Sequence, residues 1–160
     1  MIVLIKSNIM DVNLFQQQIA EVKVSYSHKV KLADRAKVTG SHSVVNYVRP
    51  LWEDIDYRES FAILLLSRAM DILGINWISK GGVSGTVVDA KTIFQAALKT
   101  NSSAILLLHN HPSGILQPSN ADIQITNKIK EGGKYLDISV PDHIIITSDG
   151  YYSCADEGDM

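Results

Sequence analysis

Five consecutive apolar residues, Ala104-Ile105-Leu106-Leu107-Leu108, run straight into His109-Asn110-His111 and stop at Pro112-Ser113-Gly114. A short, continuously apolar run marks a strand buried on both faces. Such a strand needs neighbours on either side and cover above and below. It therefore predicts the interior of a sheet, with the two histidines delivered at its end. Residues i and i+2 of an extended chain share a face, so His109 and His111 point the same way. Downstream, Ser119-Asn120-Ala121-Asp122 has the pattern of a helix start. Asp122 stands three residues in, on the face of Ser119. Two imidazoles and one carboxylate form the three-legged donor set of a catalytic zinc, whose fourth position is left for water.

The rest of the chain supplies partners for this strand. Residues 60–66 and 72–79 read as two strands joined by a turn at Ala69-Met70-Asp71. Asp89 is placed to cap a helix whose apolar stripe is Ile93, Phe94, Ala97 and Leu98. The helix opened at Ser119 is expected to run to about Glu131 and to stop at Gly132-Gly133. Short strands are expected at 136–140, 143–147 and 151–153. Ser41-His42-Ser43 begins a helix broken by Pro50, and the alternation from Val22 to Leu32 predicts a half-buried strand with a lysine face. Gly81-Gly82-Val83-Ser84-Gly85 reads as a loop, and Asp156 to Met160 as a loose acidic tail. Strands and helices alternate, which gives a mixed α/β or α+β class around one sheet.

At 160 residues one domain is the default. No apolar run approaches the ~18–20 residues of a membrane span, and Met1–Ile5 is too short for a signal peptide. The expected location is the cytoplasm, and no membrane partner is expected. One cysteine, Cys154, excludes an internal disulfide framework and any multi-cysteine zinc site, and it reads as exposed or half-buried. The net charge of −2 argues against a protein built mainly to hold nucleic acid. Charge is nonetheless uneven: residues 21–49 carry six Lys/Arg against two acids, and residues 137–160 carry six acids and no Lys or Arg. Both read first as solvated surface.

His-x-His, seven residues, Ser, two residues, Asp resembles the JAMM (MPN-plus) metalloprotease signature. The wider string His109-Asn110-His111-Pro112-Ser113-Gly114, with Pro118-Ser119, Asp122 and Thr126, is similar to the RadC-type branch of that superfamily, as is Asp142-His143-Ile144-Ile145-Ile146. The signature also has an upstream glutamate before an apolar strand, matched by Glu59 ahead of Phe61–Leu66. The resemblance spans about Glu59 to Tyr152. Two departures from the branch, Leu66–Asp71 after the Glu-bearing strand and Ala90-Lys91, lie off the metal ligands. The resemblance implies a curved mixed sheet flanked by helices, of cytidine-deaminase-like architecture. It implies a JAMM core over about residues 40–153, with an N-terminal extension over 1–40 and an acidic tail over 154–160.

The same resemblance implies one zinc per chain on His109, His111 and Asp122, with Glu59 as general base and acid and Ser119 as oxyanion donor. The implied reaction is hydrolysis of a peptide or isopeptide amide, so the expected partner is a peptide or protein substrate. Ser113 and His143 are candidates for the pocket or the surroundings of the metal. Each residue also has a plainer reading. Ser119 and Asp122 have the spacing of a capping box, a role Ser119 can combine with the catalytic one. Glu59 could be a surface carboxylate, His143 a core histidine, and His28 and His42 surface residues. Three alternatives compete. A zinc deaminase needs a cysteine pair that the chain lacks. RadC-type proteins are traditionally labelled as DNA repair proteins, but no helix-hairpin-helix segment precedes Glu59. A non-catalytic interaction domain would lack the ligands present here.

Overall fold

In the computed structural model the structure describes residues 25–27, 29–81 and 88–160. Its centre is a five-stranded mixed sheet: β1 (Ser60–Leu66), β2 (Ile72–Lys80), β3 (Ala104–Asn110), β4 (His143–Ile146) and β5 (Tyr151–Ser153), in the order β2-β1-β3-β4-β5. β1 pairs antiparallel with both β2 and β3, β3 pairs parallel with β4, and β4 pairs antiparallel with β5. The apolar run at 104–108 is the middle strand, buried along its whole length as its sequence requires.

Alternation along β1 and β3 divides the core in two. Ala62, Leu64, Leu66, Leu106 and Leu108 face helix α1 (Ser41–Val48) and Trp52. Phe61, Ile63, Leu65, Ile105 and Leu107 face helices α2 (Ala90–Lys99) and α3 (Asn120–Tyr135) through Ile93, Ala97 and Ile129. Asp89 caps α2 by accepting from the Lys91 amide at 2.9 Å. Helices thus cover both faces of the mixed sheet. No helix among the described residues is long and apolar enough to cross a membrane.

The structure departs from the sequence reading in five places. α3 does not stop at Gly132-Gly133 but continues to Tyr135. The glycines serve close packing instead: a Cβ on Gly132 would lie 2.7 Å from the Phe94 ring, and one on Gly133 would lie 2.3 Å from the Ile138 carbonyl oxygen. The turn comes later, where Asp137 takes φ 54°. Residues 136–140 form no strand, only a single parallel bridge between Ala104 and Ser139. The expected strand at 22–32 falls partly on residues 22–24 and 28, which lie outside the described residues, as do His28 and loop residues 82–85. Beyond them, Val30 and Leu32 are 52% and 68% exposed, and Leu32–Asp34 is a 3-10 turn. The acidic tail is ordered: Cys154–Glu157 forms a short helix, α4, capped by Ser153, and Met160 packs against the Phe61 side of the core. That helix buries Cys154, expected at least half exposed.

Candidate metal centre

The site assembles at one end of β1 and β3. Phe61 pairs with His109 in the antiparallel register. Continuing that register by two residues on each strand sets Glu59 opposite His111. Glu59, His109 and His111 therefore reach the face covered by α3, whose first turn brings Asp122. His109 Nε2 lies 3.7 Å from Asp122 Oδ1, and His111 Nε2 lies 3.4 Å from Asp122 Oδ2. The side chains of His109, Asp122 and His111 are 7%, 10% and 11% exposed.

Both rings are oriented from behind. His109 Nδ1 lies 3.0 Å from the Ser60 carbonyl oxygen, and His111 Nδ1 lies 2.6 Å from that of Ile115. A carbonyl only accepts, so each Nδ1 carries the proton and each Nε2 presents a lone pair. This is the usual way a protein fixes a metal-binding tautomer. The three donor atoms lie within 4.8 Å of one another. Ligands of a tetrahedral zinc at ~2.0–2.2 Å stand roughly 3.3–3.6 Å apart, so the set fits such an ion with little adjustment.

The electrostatics suit a cation. Burial pushes the Asp122 carboxyl upward, but the bond to His111, the bonds from Ser119 and the field of His109 outweigh it and hold the carboxyl well below its ordinary value. The bond to Asp122 raises His111, whereas burial lowers His109.

Ser119 and Asp122 form the capping box. The Ser119 hydroxyl accepts from the Asp122 amide at 3.2 Å and donates to Asp122 Oδ2 at 2.5 Å, and the Ser119 amide donates to Oδ2 at 2.8 Å. The same bonds that start the helix thus orient the carboxylate. Glu59, His109, His111, Ser113, Ser119 and Asp122 all line one cavity of about 590 Å³, whose apolar wall includes Phe61, Val88, Ile115, Pro118 and Ile125. Ser113 is exposed at its mouth.

His143 is not among the lining residues. It is fully buried on β4, beside Phe61, with Nδ1 2.7 Å from the Thr126 hydroxyl. That hydroxyl spends its proton on the Asp122 carbonyl at 2.6 Å, so it accepts from His143 Nδ1–H. His143 Nε2 is buried with no hydrogen-bond partner among the described residues. Burial above all holds this imidazole down to about 3. His143 therefore braces the first turn of α3 through Thr126.

Two residues escaped the sequence reading. Thr126 appeared only as part of a motif, without a role. Asn110 was only the spacer of His-x-His, yet it is fully buried and makes three hydrogen bonds. A signal for it existed: on a buried strand the spacer faces opposite the histidines, among Leu106 and Leu108, where an amide must find partners.

A central strand ending in two metal-competent histidines, completed by the carboxylate of a helix start, defines a metal-site α/β domain, and the chain belongs to the RadC-like JAB domain family, whose model matches residues 38–159. Among its relatives, a UPF0758 protein of Flavobacterium johnsoniae is 41% identical over 122 residues, covering 76% of this chain and 53% of the relative. A UPF0758 protein of Alkaliphilus oremlandii is 41% identical over 133 residues, covering 82% and 55%. One of Porphyromonas gingivalis is 38% identical over 125 residues, covering 78% and 55%. The chain spans about half the length of these curated relatives.

Proposed function

We propose that this domain is a zinc-dependent hydrolase of amide bonds, acting on a peptide or isopeptide link of a peptide or protein substrate. The observation that carries the reading is the convergence of two tautomer-fixed Nε2 atoms and the Asp122 carboxylate in a cavity that also holds Glu59. His109, His111 and Asp122 would hold the ion, which when bound supplies Lewis acidity and a nucleophilic water at neutral pH.

The remaining chemistry falls to the chain's own side chains. Glu59 stands immediately ahead of β1, beside the candidate ligands, and takes the proton of the attacking water. It then returns that proton to the leaving amine, which cannot depart as an anion. The Ser119 hydroxyl lines the same cavity and would donate to the developing oxyanion. Phe61, Val88 and Ile125 form the apolar wall that limits water around the reacting bond.

Elemental analysis of zinc-supplemented protein, paired with a peptide-library cleavage screen, tests the reading. One zinc per chain is expected, with loss of zinc in His109→Ala, His111→Ala and Asp122→Ala. Glu59→Gln is expected to keep its zinc and lose ~10²–10⁴-fold in turnover. A wild-type protein without zinc, or full occupancy in the double-histidine variant, would remove the cage. Loss of zinc in Glu59→Gln would make Glu59 a ligand and overturn its role.

A further inference from the structure

Asn110 lies between the two histidines in sequence and on the opposite face of the sheet in space. Its Oδ1 accepts from the Ser60 amide at 2.6 Å. Its Nδ2 donates to the carbonyl oxygens of Ile55 at 2.7 Å and Arg58 at 2.8 Å. One acceptor and both donor hydrogens of the amide are thus engaged, all with backbone, and the side chain is fully buried. Two of the three partners, Arg58 and Ser60, flank Glu59. The carbonyl of Glu59 itself accepts from the Gly81 amide at 2.8 Å.

We infer that Asn110 is a positioning residue: it fixes the backbone of Glu59 against the two metal ligands between which it is bonded. The inference rests on the hydrolase reading for what Glu59 does, and on geometry alone for how Glu59 is held. A clamp of this kind has a specific chemical requirement. It must offer an acceptor and two donors from one short, planar group, which among side chains of this length only Asn supplies. Aspartate would turn an oxygen toward two carbonyl oxygens, and glutamine would place its amide one methylene too far. The clamp also takes the shortest covalent route between ligand and base. Any shift of β3 against β1 moves Asn110 with both histidines and carries Glu59 along, so their relative placement survives motion of the sheet.

The purpose of such a device is catalytic registration. A bulk packing role would be met by an apolar residue like Leu106 or Leu108 on the same face. An ordinary buried amide would bond wherever partners were available. Here every bond goes to the 55–60 segment, and none goes to β4, whose Ile146 is paired with Asn110 in the sheet.

The test uses the full chain, with zinc for turnover and with Co(II) as a spectroscopic probe. Asn110→Ala is expected to bind either metal with unchanged affinity. Its kcat on any cleaved peptide should fall about 10²-fold with KM unchanged, the scale of a small misplacement of a reacting group. Adding Asn110→Ala to Glu59→Gln should cause no further fall, because the clamp then has no base to place. An equal fall in both backgrounds overturns the inference, as does loss of metal together with activity. Independently of any substrate, the visible spectrum of the Co(II) protein at neutral pH should change in Glu59→Gln and change the same way in Asn110→Ala. A spectrum altered by Glu59→Gln but untouched by Asn110→Ala also overturns it. If Asn110→Ala fails to fold, Asn110→Leu fills the volume without the bonds and is read by the same criteria. A wild-type protein that cleaves no amide, yet shows the shared spectral change, would sink the hydrolase reading and leave the clamp standing.

Discussion

Ser119 shows how one side chain can serve folding and chemistry, and how the two can be separated. In the capping box its hydroxyl accepts from the Asp122 amide and donates to the Asp122 carboxylate. Glycine is a tolerable helix cap, so Ser119→Gly should cost only a few tenths of a kcal/mol and melt within a few degrees of wild type. It removes the hydroxyl altogether. If that hydroxyl steadies the oxyanion, kcat should drop by roughly 10²–10³-fold while zinc stays bound. A Ser119→Gly protein with near wild-type kcat would reduce the residue to a cap. Thr126 has no such double duty. Thr126→Val preserves shape but strands His143 Nδ1–H in the core, and a cost of about 1–3 kcal/mol in denaturant unfolding is expected. Unchanged stability would mean that His143 finds another acceptor.

At the scale of elements, α3 carries the sharpest expectation. Alanine is a better helix former than glycine by ~1 kcal/mol, so Gly133→Ala in a free helix would stabilise. Here its methyl group would meet the Ile138 carbonyl, which is backbone and cannot swing away. Overpacking typically costs about 1–3 kcal/mol, so Gly133→Ala should lower the melting temperature. A rise would show that the 136–140 segment yields freely. The same glycines explain why the end of α3 was illegible in the sequence. Gly-Gly signals a stop when only local propensity is read, whereas tertiary contact with Phe94 and Ile138 set the choice. β1, β3 and the start of α3 were legible because period, capping and length agreed there. The segment 136–140 and the tail were misread because their order comes from partners far away: Ser103 and Ala104 for the first, and for the tail Ser41, whose hydroxyl lies 2.5 Å from Asp156 Oδ2. The cluster of His109, His111 and Asp122 was legible from spacing, and Glu59 was singled out only through the family resemblance, since nothing local marks it. Asn110 was hidden because its function lies in the face it does not share with its neighbours.

For the whole molecule, buried His143 sets the response to acid. Its ordinary value near 6.5 is held down to about 3 by burial above all, with the His109 and His111 charges adding and the Asp122 carboxylate opposing. Between those values the unfolded chain binds a proton that the folded chain refuses. Stability therefore rises with pH across that window and falls as pH drops from about 6.5 toward 3, with a slope of up to ~1.4 kcal/mol per pH unit for one proton. Denaturant unfolding of the apo protein at stepped pH should show this slope, and His143→Gln should flatten it. An equal slope in both proteins would assign acid sensitivity to other groups. One consequence of the alternation His109-Asn110-His111 reaches beyond the reaction. A slip of β3 by one residue would exchange the faces of all three side chains, turning the imidazoles into the apolar layer under α1 and the amide toward α3. The chain would lose its metal-competent cluster and bury unpaired polar groups at a single stroke. Assembly of that cluster is therefore a gauge of strand alignment across residues some fifty positions apart, and a misaligned sheet has no partly assembled form in which to persist.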